Sequence, residues 1–172
     1  MKKVMLTTVE GDVSVRGGRF AIVVSRYNSF ITDRLLEGAL EALRSKGAGD
    51  EQVVVVKVPG SFEIPQAARK MAAGGDCCAI ICLGAIIRGQ TLHFQLISEE
   101  CARGIQAVSA DYGLPVAFGV ITAETMEQAV ERAGERSQNK GWEAAMAAME
   151  MANLFGEMER QQKEQQAAKA GF

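Results

Sequence analysis

The sequence predicts an α/β protein, a three-layer α/β/α sandwich around a four-stranded parallel sheet, and three observations lead there. Four short apolar runs rich in Val and Ile lack the alternation of a half-wet strand, which marks strands buried on both faces. Helical patterns, with apolar residues at three-and-four spacing, separate those runs. Strand and helix therefore alternate, and a helix between consecutive strands is the connection that parallel pairing requires.

The first strand is expected at residues 20–25, Phe-Ala-Ile-Val-Val-Ser. Ahead of it, residues 1–18 place Val9, Val13 and Val15 around Gly11, which suits an extended arm able to add a strand to a neighbouring subunit. A helix over 32–46 carries Leu35, Leu36, Ala39, Leu40 and Leu43 on one stripe and stops at Gly47. The second strand spans 53–58, and the Ala-rich helix 63–73 after it ends at Gly74-Gly75. The third strand, 79–83, leads into a helix over 91–112 whose stripe holds Leu96, Ile97, Cys101, Gly104, Ile105 and Val108. The fourth strand, 116–121, precedes helices over 124–133 and 139–157. Met146, Met149, Met151 and Met158 read as packing, and Trp142 as core or interface. Residues 161–172 are Gln- and Ala-rich without an apolar stripe and read as a frayed helix end or a disordered tail. No composition shift or linker divides the chain, so the expected organisation is an arm (1–18), one domain (19–157) and a polar tail (158–172).

Composition narrows the function classes. At 172 residues the chain has room for a substantial core, and a formal charge of −2 gives no electrostatic reason to expect nucleic acid or an anionic membrane as partner. Glu10 and Asp12 cut short the apolar N-terminal stretch, and no run approaches the ~20 apolar residues of a spanning helix. Cys77, Cys78, Cys82 and Cys101 form no CxxC pair, and His93 is the single histidine, so neither a zinc site nor a disulfide framework is expected. Three of those cysteines border one apolar run, as reduced core thiols do, which implies a reducing, cytoplasmic setting. Dinucleotide and P-loop signatures are missing.

Ligands of open parallel sheets bind beyond the carboxyl ends of the strands. The polar and aromatic exceptions to the apolar pattern gather there: Ser25 to Phe30, Pro59 to Pro65, Gly84 to His93, and Thr122 to Glu124. Gly89-Gln90-Thr91 stands where a long helix begins, with free backbone N–H groups suited to an anion such as phosphate; a turn at Gly89 with Thr91 as cap accounts for it equally. His93 follows in the first turn, and imidazole is the side chain that titrates nearest neutrality. It suits a general base, or a satisfied structural residue. Arg132, Arg136 and Lys140, at four-residue spacing, suit either a phosphate clamp or a solvated basic edge paired with Glu131 and Glu135. Tyr27 and Phe118 suit stacking on a flat heterocycle or plain packing. The residues alone thus reach an α/β domain with an anion-plus-heterocycle site.

At these same segments the sequence resembles the lumazine synthase family. The matching stretches are Ser25-Arg26-Tyr27-Asn28, Phe30-Ile31-Thr32, Leu35-Leu36-Glu37-Gly38-Ala39, Val58 through Pro65, Leu83 through Gly89, and His93-Phe94. Pro115 through Val120, Glu131-Arg132-Ala133-Gly134 and Asn139-Lys140-Gly141 complete a match running from about residue 19 to 156. The resemblance implies a flavodoxin-like fold and a cofactor-free condensation of 5-amino-6-ribitylaminouracil with 3,4-dihydroxy-2-butanone 4-phosphate. The product is 6,7-dimethyl-8-ribityllumazine, with phosphate and water released.

The resemblance also implies residue roles. Tyr27, where the family usually has Phe or Trp, stacks on the pyrimidine beside Asn28. Gly60, Ser61, Phe62 and Glu63 hold the ribityl chain, and Ala85, Ile86 and Ile87 meet the pyrimidine through their backbone. Gly89, Gln90 and Thr91 cradle phosphate together with Arg132, and His93 shuttles protons. Phe118, Arg132 and Lys140 come from the adjacent chain of a homo-pentamer, so a monomer is expected to be inactive. Gln90 and Leu92 depart from the family pattern and imply an altered rate or affinity. Gln95 removes a carboxylate that family members place near the histidine. Residues 135–139 lack the insertion of members that stop at pentamers, which implies an icosahedral shell with riboflavin synthase as candidate cargo. Two rivals share the scaffold: an archaeal-type riboflavin synthase, and a non-catalytic lumazine-binding shell protein.

Overall fold

The computed structural model describes residues 6–170, so the first five residues of the arm and the last two of the tail lie outside the described residues. The elements are β1 (Phe20–Ser25), α1 (Ser29–Ser45), β2 (Val53–Val58), α2 (Ile64–Gly74), β3 (Ala79–Ile87), α3 (His93–Tyr112), β4 (Val116–Ala123), α4 (Met126–Glu131) and α5 (Lys140–Ala170). Single 3₁₀ turns over Asp50–Gln52, Ser61–Glu63 and Arg136–Gln138 lead into β2, α2 and α5. All strand pairs are parallel and the order is β2-β1-β3-β4, the flavodoxin-like winding, in which the chain reverses its direction of travel between β1 and β3.

Helices α1 and α5 cover one face and α2 and α3 the other. Every residue of central β1 is buried, whereas edge strand β2 is only half covered and carries Lys57 outward, a charge that discourages further pairing on that edge. Burial of each large aliphatic chain such as Ile22, Ile81 or Leu83 contributes about 1.5–3 kcal/mol. Alanines at 144, 145 and 148 give α5 a smooth face, so its backbone lies close to the sheet and to α1.

Four differences from the sequence reading have physical causes. β3 does not stop at Leu83: it runs through Gly84 to Ile87 because β4 pairs residue for residue as far as Ala123. α3 starts at His93 rather than Thr91, and Leu96 is exposed, so the buried stripe begins at Ile97. Met151 and Met158 are exposed too, leaving Met149 and half-buried Met146 as the packing methionines. Beyond Glu157 the chain stays helical to Ala170. Gln, Ala, Lys and Glu are strong helix formers, and Arg160 bonds Glu157 one turn back and Glu164 one turn ahead, both at 2.5 Å.

The arm is extended, and Asn153 of α5 pins it by donating to the carbonyls of Asp12 and Ser14, each at 2.8 Å. Val13 and Val15 add to the α1–α5 core. Among the described residues no helix is long and apolar enough to cross a membrane, and no cluster of three or more His, Cys, Asp or Glu can hold a metal. The cysteines are free thiols; burial pushes Cys82 and Cys101 up, the latter to about 11, so both stay protonated.

Candidate active site

β3 outruns β1. The β1 ladder ends at Val24 opposite Leu83, while β3 continues four residues further, paired only on its β4 side. Gly84 to Ile87 therefore turn one bare backbone edge toward the space beyond β1, and a cleft of about 520 Å3 opens there. This is the crevice at the reversal point of the sheet.

Three loops wall it. After β1 the chain keeps the parallel ladder going for two residues, Arg26 N–H donating to Val58 O at 2.8 Å and Tyr27 N–H to Pro59 O at 3.0 Å. Asn28 then takes a left-handed conformation (φ 59°, ψ 44°), which Asn tolerates well, and its carbonyl accepts from Ile31 and Thr32 to start α1. Its side-chain amide donates to Ala85 O at 2.9 Å, so the loop is fastened to the bare edge of β3. Tyr27 is left 72% exposed at the mouth.

After β2, the Glu63 carboxylate accepts from Gly60 N–H at 3.0 Å and closes the 3₁₀ turn. That bond occupies Oε2 and leaves Oε1 for a ligand hydroxyl. Ser61 is buried and Phe62 is 48% exposed, facing the cleft with Tyr27. Ser25 Oγ, buried on the same side of the sheet, has no hydrogen-bond partner among the described residues.

After β3, Arg88 holds the loop. Its N–H donates to Ala123 O at 2.9 Å, its Nε lies 2.5 Å from Glu124 Oε2, and its guanidinium stacks 4.8 Å from the Phe94 ring. Gly89 and Thr91 line the cleft, and Gln90 is not among its lining residues. Thr91 Oγ1 accepts a long bond, 3.4 Å, from His93 N–H, but Leu92 holds the N-cap position of α3 and no side chain caps the helix, so Thr91 is not its cap. His93 is exposed on the first turn of α3, lining the cleft with Phe94 and Ile97.

The fold thus gathers Tyr27, Asn28, Gly60, Ser61, Phe62, Glu63, Ala85, Ile86, Ile87, Gly89, Thr91 and His93 around one space. Phe118, Arg132 and Lys140 are not among them. Phe118 stands mid-strand on edge strand β4, opposite Cys82 and 47% exposed. Arg132 caps α4 and Lys140 opens α5, and the segments carrying them pack into the opposite layer of the sandwich. The basic edge pairs differently from expectation: Arg136 with Glu41 at 3.4 Å, and Lys140 with Glu143. Arg88, Phe94 and Ile97 were missed by sequence reasoning. Arg88 is the one charged residue in an otherwise neutral segment, and that exception was the available signal.

A family model described as 6,7-dimethyl-8-ribityllumazine synthase matches residues 17–156. A protein of Desulfatibacillum aliphaticivorans named 6,7-dimethyl-8-ribityllumazine synthase is 56% identical over 146 residues, 85% of this chain and 94% of its own length. One of the same name from Chlorobium phaeobacteroides is 52% identical over 147 residues, 86% of this chain and 95% of its own.

Proposed function

The chain belongs to the 6,7-dimethyl-8-ribityllumazine synthase family, and from that membership we propose how its cleft works. The enzyme condenses 5-amino-6-ribitylaminouracil with 3,4-dihydroxy-2-butanone 4-phosphate, forming the lumazine of riboflavin biosynthesis and releasing phosphate and water. Neither the archaeal-type riboflavin synthase reading nor the non-catalytic shell reading is favoured. The observation that carries the site assignment is the position of His93: on the first turn of α3, lining the same cleft as Gly89, Thr91, Tyr27 and Phe62.

Tyr27 and Phe62 stack on the pyrimidine and its side chain, and the unpaired edge at Ala85 and Ile87 supplies fixed backbone groups to the ring, while Ile86, whose backbone is paired with β4, lines the wall. Glu63 Oε1 and Ser61 hold ribityl hydroxyls, and Asn28 keeps the β1 loop in register with that edge. Gly89, Gln90 and Thr91 receive the phosphate at the helix N-terminus. His93 then moves protons as the amine forms an imine with the ketone and phosphate leaves. Holding the two substrates in register supplies much of the remaining acceleration.

The cleft is completed by Phe118, Arg132 and Lys140 of the adjacent subunit in a cytoplasmic homo-pentamer, assembled into an icosahedral shell able to hold riboflavin synthase. None of the three lines the chain's own cleft, and Phe118 and Arg132 are exposed, which supports this sharing. Leu6, 91% exposed ahead of the pinned Asp12, supports an arm that reaches a neighbouring subunit. The test is optical: purified, assembled protein with both substrates, following the fluorescent lumazine above the spontaneous reaction. Acceleration that falls in His93→Ala and Arg132→Ala supports both role assignments. Full activity in His93→Ala sinks the proton-transfer role, and an active monomer sinks the shared site.

A further inference from the structure

Asn139 is 3% exposed, and its side chain is consumed completely. The amide nitrogen donates to Arg34 O of α1 at 3.0 Å and to Gly134 O at 2.9 Å. The amide oxygen accepts from Gly141 N–H at 2.8 Å and Trp142 N–H at 3.1 Å, capping α5. Two carbonyls on one side and two N–H groups on the other fix the orientation of the amide. Two glycines make room for it. A Cβ on Gly38 would lie 2.4 Å from Asn139 Oδ1, and one on Gly141 would lie 1.9 Å from Leu35 O.

The backbone carries this anchorage onward. Ala133 and Asn139 form an antiparallel bridge, and Lys140 N–H donates to Arg132 O at 2.9 Å. Arg132 and Lys140 are thus tied directly to each other, and Asn139 anchors the loop that runs between them. The loop's other tie to α1 is the exposed pair of Arg136 and Glu41, which contributes little. Arg136 itself sits at φ 45°, a strained conformation that lasts only where its surroundings hold it, and its carbonyl accepts from Asn139 N–H at 2.8 Å.

We propose that Asn139 is a positioning residue for phosphate capture, setting where Arg132 and Lys140 meet the cleft of the adjacent subunit. The proposal rests on the shared site proposed above. Asn139→Asp keeps the cap on α5 but turns both donors into acceptors facing carbonyls, so it loosens the loop and spares the helix start. Asn139→Ser, also a strong cap, removes the donors without adding charge and serves if the aspartate fails to assemble. A clamp that binds ground and transition states alike affects KM, so KM for the butanone phosphate should rise about tenfold with kcat and the pyrimidine KM nearly unchanged. Each variant is then co-assembled with His93→Ala, whose clamp is intact. In a ring with one head-to-tail interface, about a quarter of the sites combine a good cleft with a good clamp, and a low-KM phase should return. Arg132→Ala with His93→Ala is the reference pair. Wild-type KM in both Asn139 variants overturns the proposal, as does a raised KM that co-assembly fails to restore while the reference pair recovers. If the reference pair itself does not recover, the shared site falls, and this inference with it.

Discussion

The carboxyl end of β3 and the amino end of α5 each join a loop to a helix, yet they treat polar atoms in opposite ways. Beyond Leu83 the β3 backbone shows a bare edge, Glu63 keeps one oxygen unbound in its turn, and His93 stands exposed. Around Asn139 every side-chain donor and acceptor is used, and glycines at 38 and 141 bring α1 and α5 together. A polar group held in reserve costs the fold little while water serves it, and it is then available to a ligand. A polar group spent inside the fold leaves nothing for a ligand but fixes geometry. Stability and chemistry are therefore expected to separate along this line.

The sharpest test is His93→Ala. Loss of a proton-transfer group should slow lumazine formation by about 10²-fold or more, while thermal stability stays within about 0.5 kcal/mol of the parent. A large drop in stability would show that His93 belongs to the fold and would break the contrast. Next is Gly141→Ala, whose methyl meets a backbone carbonyl that cannot yield; unfolding in urea should show a loss of about 3 kcal/mol. An unchanged midpoint would mean that the α1–α5 contact is softer than its geometry.

Asn28→Ala lies between the two regimes, since Asn28 is both a left-handed turn residue and the tie to Ala85. It should cost about 1–2 kcal/mol of stability and also weaken pyrimidine binding, measured by titration with the product lumazine. If only one of the two changes, the tie and the turn are separable.

Acid provides a smaller effect. The Arg160 side chain, followed by Gln161, holds the Glu157 carboxyl down to about 2 from an ordinary 4.5. A lowered folded value stabilises the helix above the unfolded value and loses that contribution as pH falls toward 2. Amide protection factors, corrected for intrinsic exchange, should fall in residues 157–164 across that window, and less so in Arg160→Ala. Smallest of all, Ser25→Ala removes a hydroxyl that has no partner among the described residues, and stability should change by less than about 0.5 kcal/mol, with any change upward. A clear loss would reveal a hidden role for Ser25 beneath the cleft.

Legibility in the sequence followed local signal. β1 and β2 were bounded correctly because Arg19, Arg26, Gln52 and Pro59 flank Val- and Ile-rich runs. β3 was read short because Gly84 looks like a turn, and only its pairing with β4 carries the strand past it. The tail was read as frayed because helix periodicity is sought in apolar residues, whereas Arg160 and its two glutamates stabilise a helix with none. The loops that wall the cleft were legible as polar and aromatic exceptions after apolar runs, whereas Ala85, Ile86 and Ile87 entered only through the family resemblance. Asn139 was not, because its four partners are backbone atoms distributed from Arg34 to Trp142, and no side-chain pattern announces them.

The bare edge of β3 bears on how such a site ages. Groups offered as N–H and C=O are carried by atoms that every codon encodes alike, so on the proposed reading Ala85 and Ile87 are free to drift among small and branched apolar residues without erasing them. Proline is the exception, since it alone deletes a donor. A lineage can therefore exchange the side chains lining this wall while the lettering that a ligand reads stays the same.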